Sequence, residues 1–249
     1  EPHAGSDVGL ARTRAEPRAD GTWSITGTKI FISAGEHDLA ENIVHLVLAR
    51  APESPAGTRG ISMFVVPKVD LDGTRNAVTC GSVEHKMGIN GNATCVLHFE
   101  GARGYLVGEQ DRGMRYMFTM MNAARLVVGL QGYTLAHAAF LDSAQYARER
   151  LQMRSLKGSV APDKPADPII VHPDVRRMLF TQRAIAEGGR ALVYYAGQIA
   201  DRARHGGGDP QPNADGRAAA GVLLDFLTPI AKGVLTELAF ESVNHALQI

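Results

Sequence analysis

Apolar and polar positions over roughly the first hundred residues follow the pattern of short β-strands. Residues 44–48 are apolar on both faces, which is typical of a strand buried on both sides. Gly27 separates two β-rich stretches, so we predict a tight turn between two strands there. Further strands are predicted at 61–66 and 94–99. Because no helical pattern lies between them, residues 1–110 are expected to form a small antiparallel barrel or sandwich domain.

From Gly113 onward the apolar positions recur every three or four residues, which predicts three long helices, the first extending to about Arg150. The second carries an apolar stripe between Val175 and Ile199. The stripe of the first helix is Met117, Met121, Ala124, Val128, Leu135 and Ala139. The stripe of the third is Val222, Phe226, Ile230, Val234 and Leu238. Residues 111–249 are therefore expected to form an incomplete up-down helical bundle, and the fold class is α+β with two domains.

Proline and glycine mark interruptions of the helical part. Pro229 lies inside the third stripe and should kink or restart that helix, because proline lacks the amide hydrogen and clashes with the preceding turn. The stretches 155–171 and 206–212 are rich in proline or glycine, and we expect flexible surface loops there. Glu1 and Ile249 lie in patterns that no cap or tail closes, so we expect a fragment of a longer protein.

Composition narrows the classes of protein. Basic and acidic side chains number 26 each, so the formal net charge is zero. A neutral chain gives no reason to expect nucleic acid or an anionic membrane as the main partner, although it does not exclude a local basic pocket. No apolar run approaches the roughly 20 residues of a membrane helix. Two cysteines without a CxxC pair favour a reducing compartment, and we expect a cytoplasmic protein.

Two stretches carry groups that suit a flat polar ligand, whereas the histidines and cysteines form no spacing typical of a metal site. Glu1–Asp7 combines glycine, a serine hydroxyl and consecutive backbone amides that can hold a polar ring or a carbonyl, although such a run is more often just a turn. Within Gly27–Gly35, Phe31 and Ser33 are two residues apart and should share one face of a strand. There the ring can pack on a flat ligand while the hydroxyl bonds a heteroatom; without a ligand, the stretch is an ordinary hairpin strand.

Together these stretches resemble the acyl-CoA dehydrogenase family of flavoproteins. The family pattern is a TEP-x-x-GSD segment and then a strand with tryptophan or phenylalanine, which Glu1–Asp7 and Gly27–Gly35 match in order. Further matches follow at Gly60–Pro67, Lys86–Gly88, Asn122–Gly129, Glu149–Arg150 and Ala246–Ile249. The resemblance implies a middle β-domain and most of three helices of a C-terminal four-helix bundle, without the family's N-terminal helical domain.

In the β-domain the resemblance implies four residues that contact the cofactor FAD. Gly5 and Ser6 would contact the flavin or the acyl thioester of the substrate. Phe31 would stand where a tryptophan usually packs beside the isoalloxazine, and it keeps the ring but loses the indole N–H. Ser33 would replace a threonine that bonds near flavin N5.

In the helical part the resemblance implies two pairs of binding residues. Asn122 and Arg125 would face the CoA moiety of the substrate. Arg150 would reach the FAD pyrophosphate of a neighbouring subunit, because a guanidinium suits phosphate by charge and geometry. Gln248 would lie near the adenosine side of FAD. For both arginines the alternative is a solvated position on a helix surface.

No residue of the chain is assigned as the catalytic base. The family's usual base is a glutamate well beyond the position of Gln248, so we expect it beyond Ile249. A minority of the family places the base on the first long helix, where this sequence has Ala124, which takes no proton. The proline-rich insert at 155–171 is longer than in short- and medium-chain members and resembles a larger bacterial subgroup that includes methylthioalkanoyl-CoA dehydrogenases.

For the intact protein the resemblance implies FAD-dependent α,β-dehydrogenation of an acyl-CoA thioester to the 2-enoyl-CoA. An electron-transfer flavoprotein is the expected electron acceptor, and a homodimer or homotetramer is the expected assembly. Two other interpretations stay open. One is a family relative that keeps FAD but binds DNA in an alkylation response, and the other is an inactive fragment that binds no flavin.

Overall fold

The structure of the protein is a computed structural model that describes residues 1–206 and 214–249. Its Cα positions divide into two compact units, Glu1–Met120 and Met121–Ile249. The β-strands all lie in the first unit, and the second consists of long helices. The predicted α+β class, a sheet domain followed by a helical domain, is confirmed.

Six antiparallel strands build the first unit. They are β1 (Arg14–Pro17), β2 (Trp23–Ser33), β3 (Val44–Ala49), β4 (Ser62–Pro67), β5 (Val78–Val83) and β6 (Thr94–Leu106). Their order is β1-β2-β6-β4-β3, with β5 paired to the edge of β6 opposite β2. A bridge between Arg14 and Arg50 links β1 back to the end of β3. The backbone amide of Ala15 donates to Arg50 O at 2.9 Å, so the two ends of the sheet meet as in a barrel.

The core of this unit comes from alternate positions of the strands, because successive side chains point to opposite faces. It contains Ala15, Ile25, Val47, Ala49, Phe64, Val66, Val78, Cys95, Leu97, Phe99 and Ala102. On β3 the buried residues are His45, Val47 and Ala49, whereas Val44 and Leu46 are exposed. The prediction that this strand is buried on both faces is therefore wrong, since only one of its faces is covered within the described unit.

Gly27 does not form the predicted turn. Strand β2 runs unbroken from Trp23 to Ser33 and pairs with β6 on both sides of Gly27. The glycine is needed for close contact instead: a Cβ atom at this position would lie 2.4 Å from Thr13 Oγ1. The two short strands predicted here are therefore one long strand. Glycine stands in its middle because a neighbouring segment packs directly against the backbone there.

Three long helices form the second unit, and the first two turns of the first helix, up to Met120, belong to the β-strand unit. They are α1 (Gly113–Glu149), α2 (Pro173–His205) and α3 (Ala214–Gln248), as the apolar periodicity predicts. Proline opens α2 at its first position, and Gly206 caps it with a left-handed φ of 78°. Beyond Gly206, the loop predicted at 206–212 lies outside the described residues.

Helix α3 continues through Pro229, so the predicted restart is wrong. One residue earlier, the hydroxyl of Thr228 donates to Leu224 O at 2.7 Å, within the helix. By length and composition alone α3 is also long and apolar enough to cross a membrane. This is weak evidence for a membrane span, because the core helices of soluble proteins satisfy the same two criteria. Asp225 and Lys232 interrupt the apolar residues of α3, so the helix contains no uninterrupted apolar run of that length.

Small residues, not the large apolar stripes, form the contacts of α1 and α3. The buried residues of α1 beyond Met121 are Gly129, Gly132, Tyr133, Ala136, Ser143, Ala144 and Ala147. Those of α3 are Ala220, Thr228, Ala231, Leu235, Ala239 and Ser242. The predicted stripe of α3 is mostly exposed, as Phe226 and Val234 are, and so are Met121 and Leu135 of α1. The prediction that these stripes form the buried faces of α1 and α3 is therefore wrong, because two helices approach closely where their side chains are small. On α2, Leu179, Ile185 and Ile199 are buried as predicted.

The insert between α1 and α2 is organised around Asp167, whose side chain is fully buried. Its ends meet in a bridge between Leu151 and Pro168, and Ile169 N donates to Arg150 O at 2.8 Å. The Asp167 carboxylate accepts hydrogen bonds from Ser155 N (2.9 Å), Val160 N (3.0 Å), Ala161 N (2.7 Å), Arg154 Nη1 (3.3 Å) and Ser159 Oγ (3.3 Å). The predicted flexible loop is thus folded around one carboxylate.

We expect Gly132→Ala to destabilise the helical unit by about 1–3 kcal/mol, because overpacking a close contact forces the backbones apart. A Cβ atom at Gly132 would lie 2.8 Å from Leu235 O. Gly188→Ala on α2 is the matched control, since a Cβ there meets nothing within 4 Å, and it should stabilise by about 1 kcal/mol through helix propensity. Urea unfolding measures both; equal effects of the two substitutions would contradict the close packing.

Asp167→Asn should loosen the insert without unfolding the helices. Backbone hydrogen bonds, first that from Ser155, lower the pKa of Asp167 below its ordinary value of 3.8. Its stabilising contribution is therefore complete above the ordinary carboxyl pKa and is lost as the pH falls towards the folded value. Limited proteolysis at neutral pH should cleave the variant faster within residues 155–166. The exposed Asp163→Asn is the control, and cleavage at the same rate in both variants would refute this organisation.

Candidate functional site

The Glu1–Asp7 stretch forms an exposed turn with one buried anchor. Ala4 is buried, whereas Gly5 and Ser6 are exposed, and a Cβ atom on Gly5 would meet nothing within 4 Å. Asp7 closes the turn, because its Oδ1 accepts a hydrogen bond from Gly9 N at 3.1 Å. The backbone at Gly5 is therefore open on one side, where a neighbouring group can approach it closely.

Phe31 stands on a strained bulge of β2. The pairing with β6 shifts register between Lys29 and Ile32, so the intervening residues leave the ladder. The φ angle of Phe31 is 57°, a left-handed conformation that bulky residues rarely adopt, and 66% of its surface is exposed. Ser33, two residues on, is exposed as well, while Ile32 between them is half-buried. Strain that presents a large aromatic ring to solvent indicates a binding role.

The turn after Ser33 is fixed to the loop that precedes β6. The backbone amide of Ala34 donates to Ala93 O at 2.8 Å and to Asn92 Oδ1 at 2.9 Å. Lys86 Nζ donates to Asn92 O at 2.6 Å, which ties the Lys86–Gly88 match to the same turn. Gly35 packs so closely that a Cβ atom would lie 2.9 Å from Cys95 Cβ. Ser33 is thus held by a rigid turn.

An ion pair that the sequence pattern did not predict joins the Glu1–Asp7 turn to strand β2. The Glu1 side chain is only 4% exposed, and its Oε1 accepts a hydrogen bond from Lys29 Nζ at 2.8 Å. Burial alone would raise the pKa of Glu1, but hydrogen bonds from Lys29, Thr13 and the Arg12 amide outweigh it and lower this pKa to about 2. Burial lowers the pKa of Lys29, and Glu1 opposes that shift. A lysine among the apolar residues of β2 is the signal that could have revealed this pair.

The four predicted helix residues lie at two ends of the helical unit. Asn122 Nδ2 donates to Asp225 Oδ1 at 3.5 Å, and Arg125 lies one turn further along α1. Arg150 follows the last residue of α1 and is exposed, as is Gln248, the last residue of α3. At 1.5 Å per residue, the 25 steps between the two arginines separate them by about 37 Å. The two pairs are therefore too far apart to contact the same small group.

Gln248 lines a groove of about 640 Å³ between α1 and α3. Tyr146, one turn before Arg150 on α1, lines the same groove. The structure thus brings Gln248 to the end of α1 that carries Arg150. Within residues 1–206 and 214–249, no three His, Cys, Asp or Glu side chains come together in a way that could hold a metal ion.

The architecture matches solved acyl-CoA dehydrogenases. A Bacillus anthracis acyl-CoA dehydrogenase complexed with FAD superposes with a TM-score of 0.77 at 25% identity, over 100% of this chain and 40% of that one. By sequence, residues 1–102 match the middle domain of acyl-CoA dehydrogenases, and residues 111–249 match their C-terminal domain. The chain belongs to the acyl-CoA dehydrogenase family, as its motifs predict.

Two curated relatives are similar along the whole chain. It is 50% identical over 255 residues to 3-methylmercaptopropionyl-CoA dehydrogenase of Ruegeria pomeroyi. It is 42% identical over 259 residues to the broad-specificity linear acyl-CoA dehydrogenase FadE5 of Mycobacterium tuberculosis. The chain spans 42% of the length of each. The predicted resemblance to the methylthioalkanoyl-CoA subgroup is confirmed.

Ala34→Gly should stabilise the β-unit by about 1 kcal/mol, because only glycine adopts a left-handed conformation without steric cost. The φ angle of Ala34 is 53°. The control is Ala56→Gly, an exposed alanine with φ of −64°, where the added freedom of the unfolded chain should destabilise by about 0.5 kcal/mol. Thermal unfolding measures both. Destabilisation by Ala34→Gly would contradict the strained turn.

Proposed function

We propose that this chain forms the flavin-contacting part of an FAD-dependent acyl-CoA dehydrogenase, which converts an acyl-CoA thioester to the 2-enoyl-CoA. The observation that carries the proposal is the exposed, strained Phe31 beside Ser33, in a chain that both family domains match. A flat ring can bind here, because the ring of Phe31 is exposed and the hydroxyl of Ser33 lies two residues away. When bound, FAD supplies the acceptor for the two electrons of the oxidation.

The residues of the β-domain bind and orient the cofactor in this proposal. Phe31 packs against one face of the isoalloxazine, and the hydroxyl of Ser33 donates a hydrogen bond near flavin N5. The open backbone at Gly5 and the hydroxyl of Ser6 contact the flavin or the thioester. Support comes from the exposure of all four residues and from the FAD held by the Bacillus anthracis relative.

The helical residues bind the longer parts of the two ligands. Asn122 and Arg125 face the CoA moiety, and Arg150 and Gln248 face the pyrophosphate and adenosine of FAD held by a neighbouring subunit. The wide separation of the two pairs supports this division. We propose a homodimer or homotetramer in the cytoplasm as the active assembly, and an electron-transfer flavoprotein as its electron acceptor.

Removal of the α-proton requires a carboxylate that the matched positions do not supply. Ala124 occupies the position that carries the base in a minority of the family. We propose a glutamate outside residues 1–249 as the base, with the chain described here orienting the cofactor and substrate for it.

Spectroscopy of the full-length protein tests the proposal. Purified protein should show the visible flavin spectrum, which should bleach when an acyl-CoA is added without oxygen, and 2-enoyl-CoA should appear. A colourless protein would overturn FAD binding. A yellow protein that does not bleach but is retained on DNA in a salt-dependent way would favour the DNA-binding interpretation instead.

Phe31→Ala should weaken FAD binding by roughly tenfold, since aromatic packing contributes about 0.5–1.5 kcal/mol beyond area burial. The measurement is titration of the apoprotein with FAD, followed by flavin fluorescence. Phe180→Ala is the control, because this exposed phenylalanine lies on α2. An unchanged affinity of the Phe31 variant would remove the ring from the binding site.

A further inference from the structure

The buried carboxylate of Glu1 makes four hydrogen bonds to two other parts of the fold. The donors are Arg12 N (2.6 Å), Thr13 N (3.1 Å), Thr13 Oγ1 (2.6 Å) and Lys29 Nζ (2.8 Å). A carboxylate leaves water at a large cost unless its lone pairs are satisfied, and here they are. Glu1 therefore fixes the turn that contains Gly5 and Ser6 to the segment before β1 and to β2.

Lys29 connects this turn to two strands at once. Its ammonium group, 14% exposed, donates to Glu1 Oε1 and also to Leu48 O of β3 at 2.8 Å. Lys29 is also the last residue of β2 that pairs with β6 before the register shift. The bulge that presents Phe31 therefore begins directly after a residue whose side chain is held from two directions.

Close packing at Gly27, two residues before Lys29 on β2, reinforces the arrangement. Thr13 is buried and donates its hydroxyl to Glu1, and it fills the space that a Cβ atom on Gly27 would need. The backbone of Thr13 is fixed as well, because Arg50 N donates to Thr13 O at 2.9 Å. The turn at Gly5 and the bulge at Phe31 thus share one rigid support.

We propose that Lys29, paired with Glu1, is a positioning residue that sets the Gly5–Ser6 turn and the Phe31–Ser33 segment in the relative position required for flavin binding. This inference rests on the proposed function, because both segments are there assigned to the flavin. Lys29 contacts no cofactor itself; it acts through the carboxylate on one side and the start of the bulge on the other. Loss of the pair lets the two segments move independently, so the binding surface for the flavin is no longer preformed.

The test compares two ion-pair deletions in the full-length protein. Lys29→Met removes the ammonium group and keeps the apolar stem. The control is Arg103→Met, which breaks the pair with buried Asp70 in the same unit (Nη1 to Oδ2 2.9 Å), remote in sequence from both segments. Measurements are FAD affinity, the visible flavin band of the bound form, its reduction potential and thermal unfolding. Thr13→Val, which removes only the hydroxyl, replaces Lys29→Met if that variant does not fold.

Lys29→Met should lower FAD affinity at least tenfold, about 1.4 kcal/mol, and shift the flavin band and potential of the fraction that stays bound. Arg103→Met should leave the FAD affinity, the flavin band and the reduction potential unchanged, even if it lowers the unfolding temperature as much as Lys29→Met does. A Lys29 variant with the parent's affinity and spectrum would overturn the positioning role alone. Equal losses in both variants would show general destabilisation and overturn it too. Absence of FAD from the unsubstituted protein would overturn the proposed function itself.

Discussion

A carboxylate taken out of water needs a donor for each of its lone pairs, and this requirement shapes the β-unit around Glu1. Three donors come from the chain just before β1 and the fourth from β2, so these segments must converge. Convergence brings Thr13 against the backbone of β2, which is why Gly27 has no side chain. It also brings Lys29 to Leu48 O, so β3 joins the same network.

The helical unit depends on a different constraint, the closeness of helix backbones. Gly129 and Gly132 of α1 face the backbone of α3 near Ala231 and Leu235, with no room for a Cβ atom at Gly132. Dispersion contacts between such surfaces are individually weak and depend steeply on distance, so even one methyl group matters. Polar groups survive inside this unit: Ser242 donates to Ala136 O at 3.4 Å, and the side chain of Gln182 is fully buried.

Periodicity predicted the strands and helices well because it reflects how side chains alternate or repeat around a backbone. It did not identify the buried side of α3, because that helix has apolar residues on opposite faces, and the larger ones such as Phe226 lie outside. The spacing of Phe31 and Ser33 predicted that the two side chains share one face of a strand, and both are exposed. The bulge under Phe31 and the pair of Glu1 with Lys29 were not predicted, since both arise from contacts between segments that are distant in sequence.

The insert between α1 and α2 has a consequence for how relatives of this chain diverge. Its ends lie side by side at Leu151 and Pro168, and Asp167 gathers most of its polar contacts into one place. A loop that closes on itself transmits little strain to the helices that carry it, and the entropic cost of lengthening it grows only slowly. The sequence and length of this segment can therefore change as one unit during evolution. Such changes alter the surface at the end of α1 beside Arg150 and leave the helix contacts of the unit as they are.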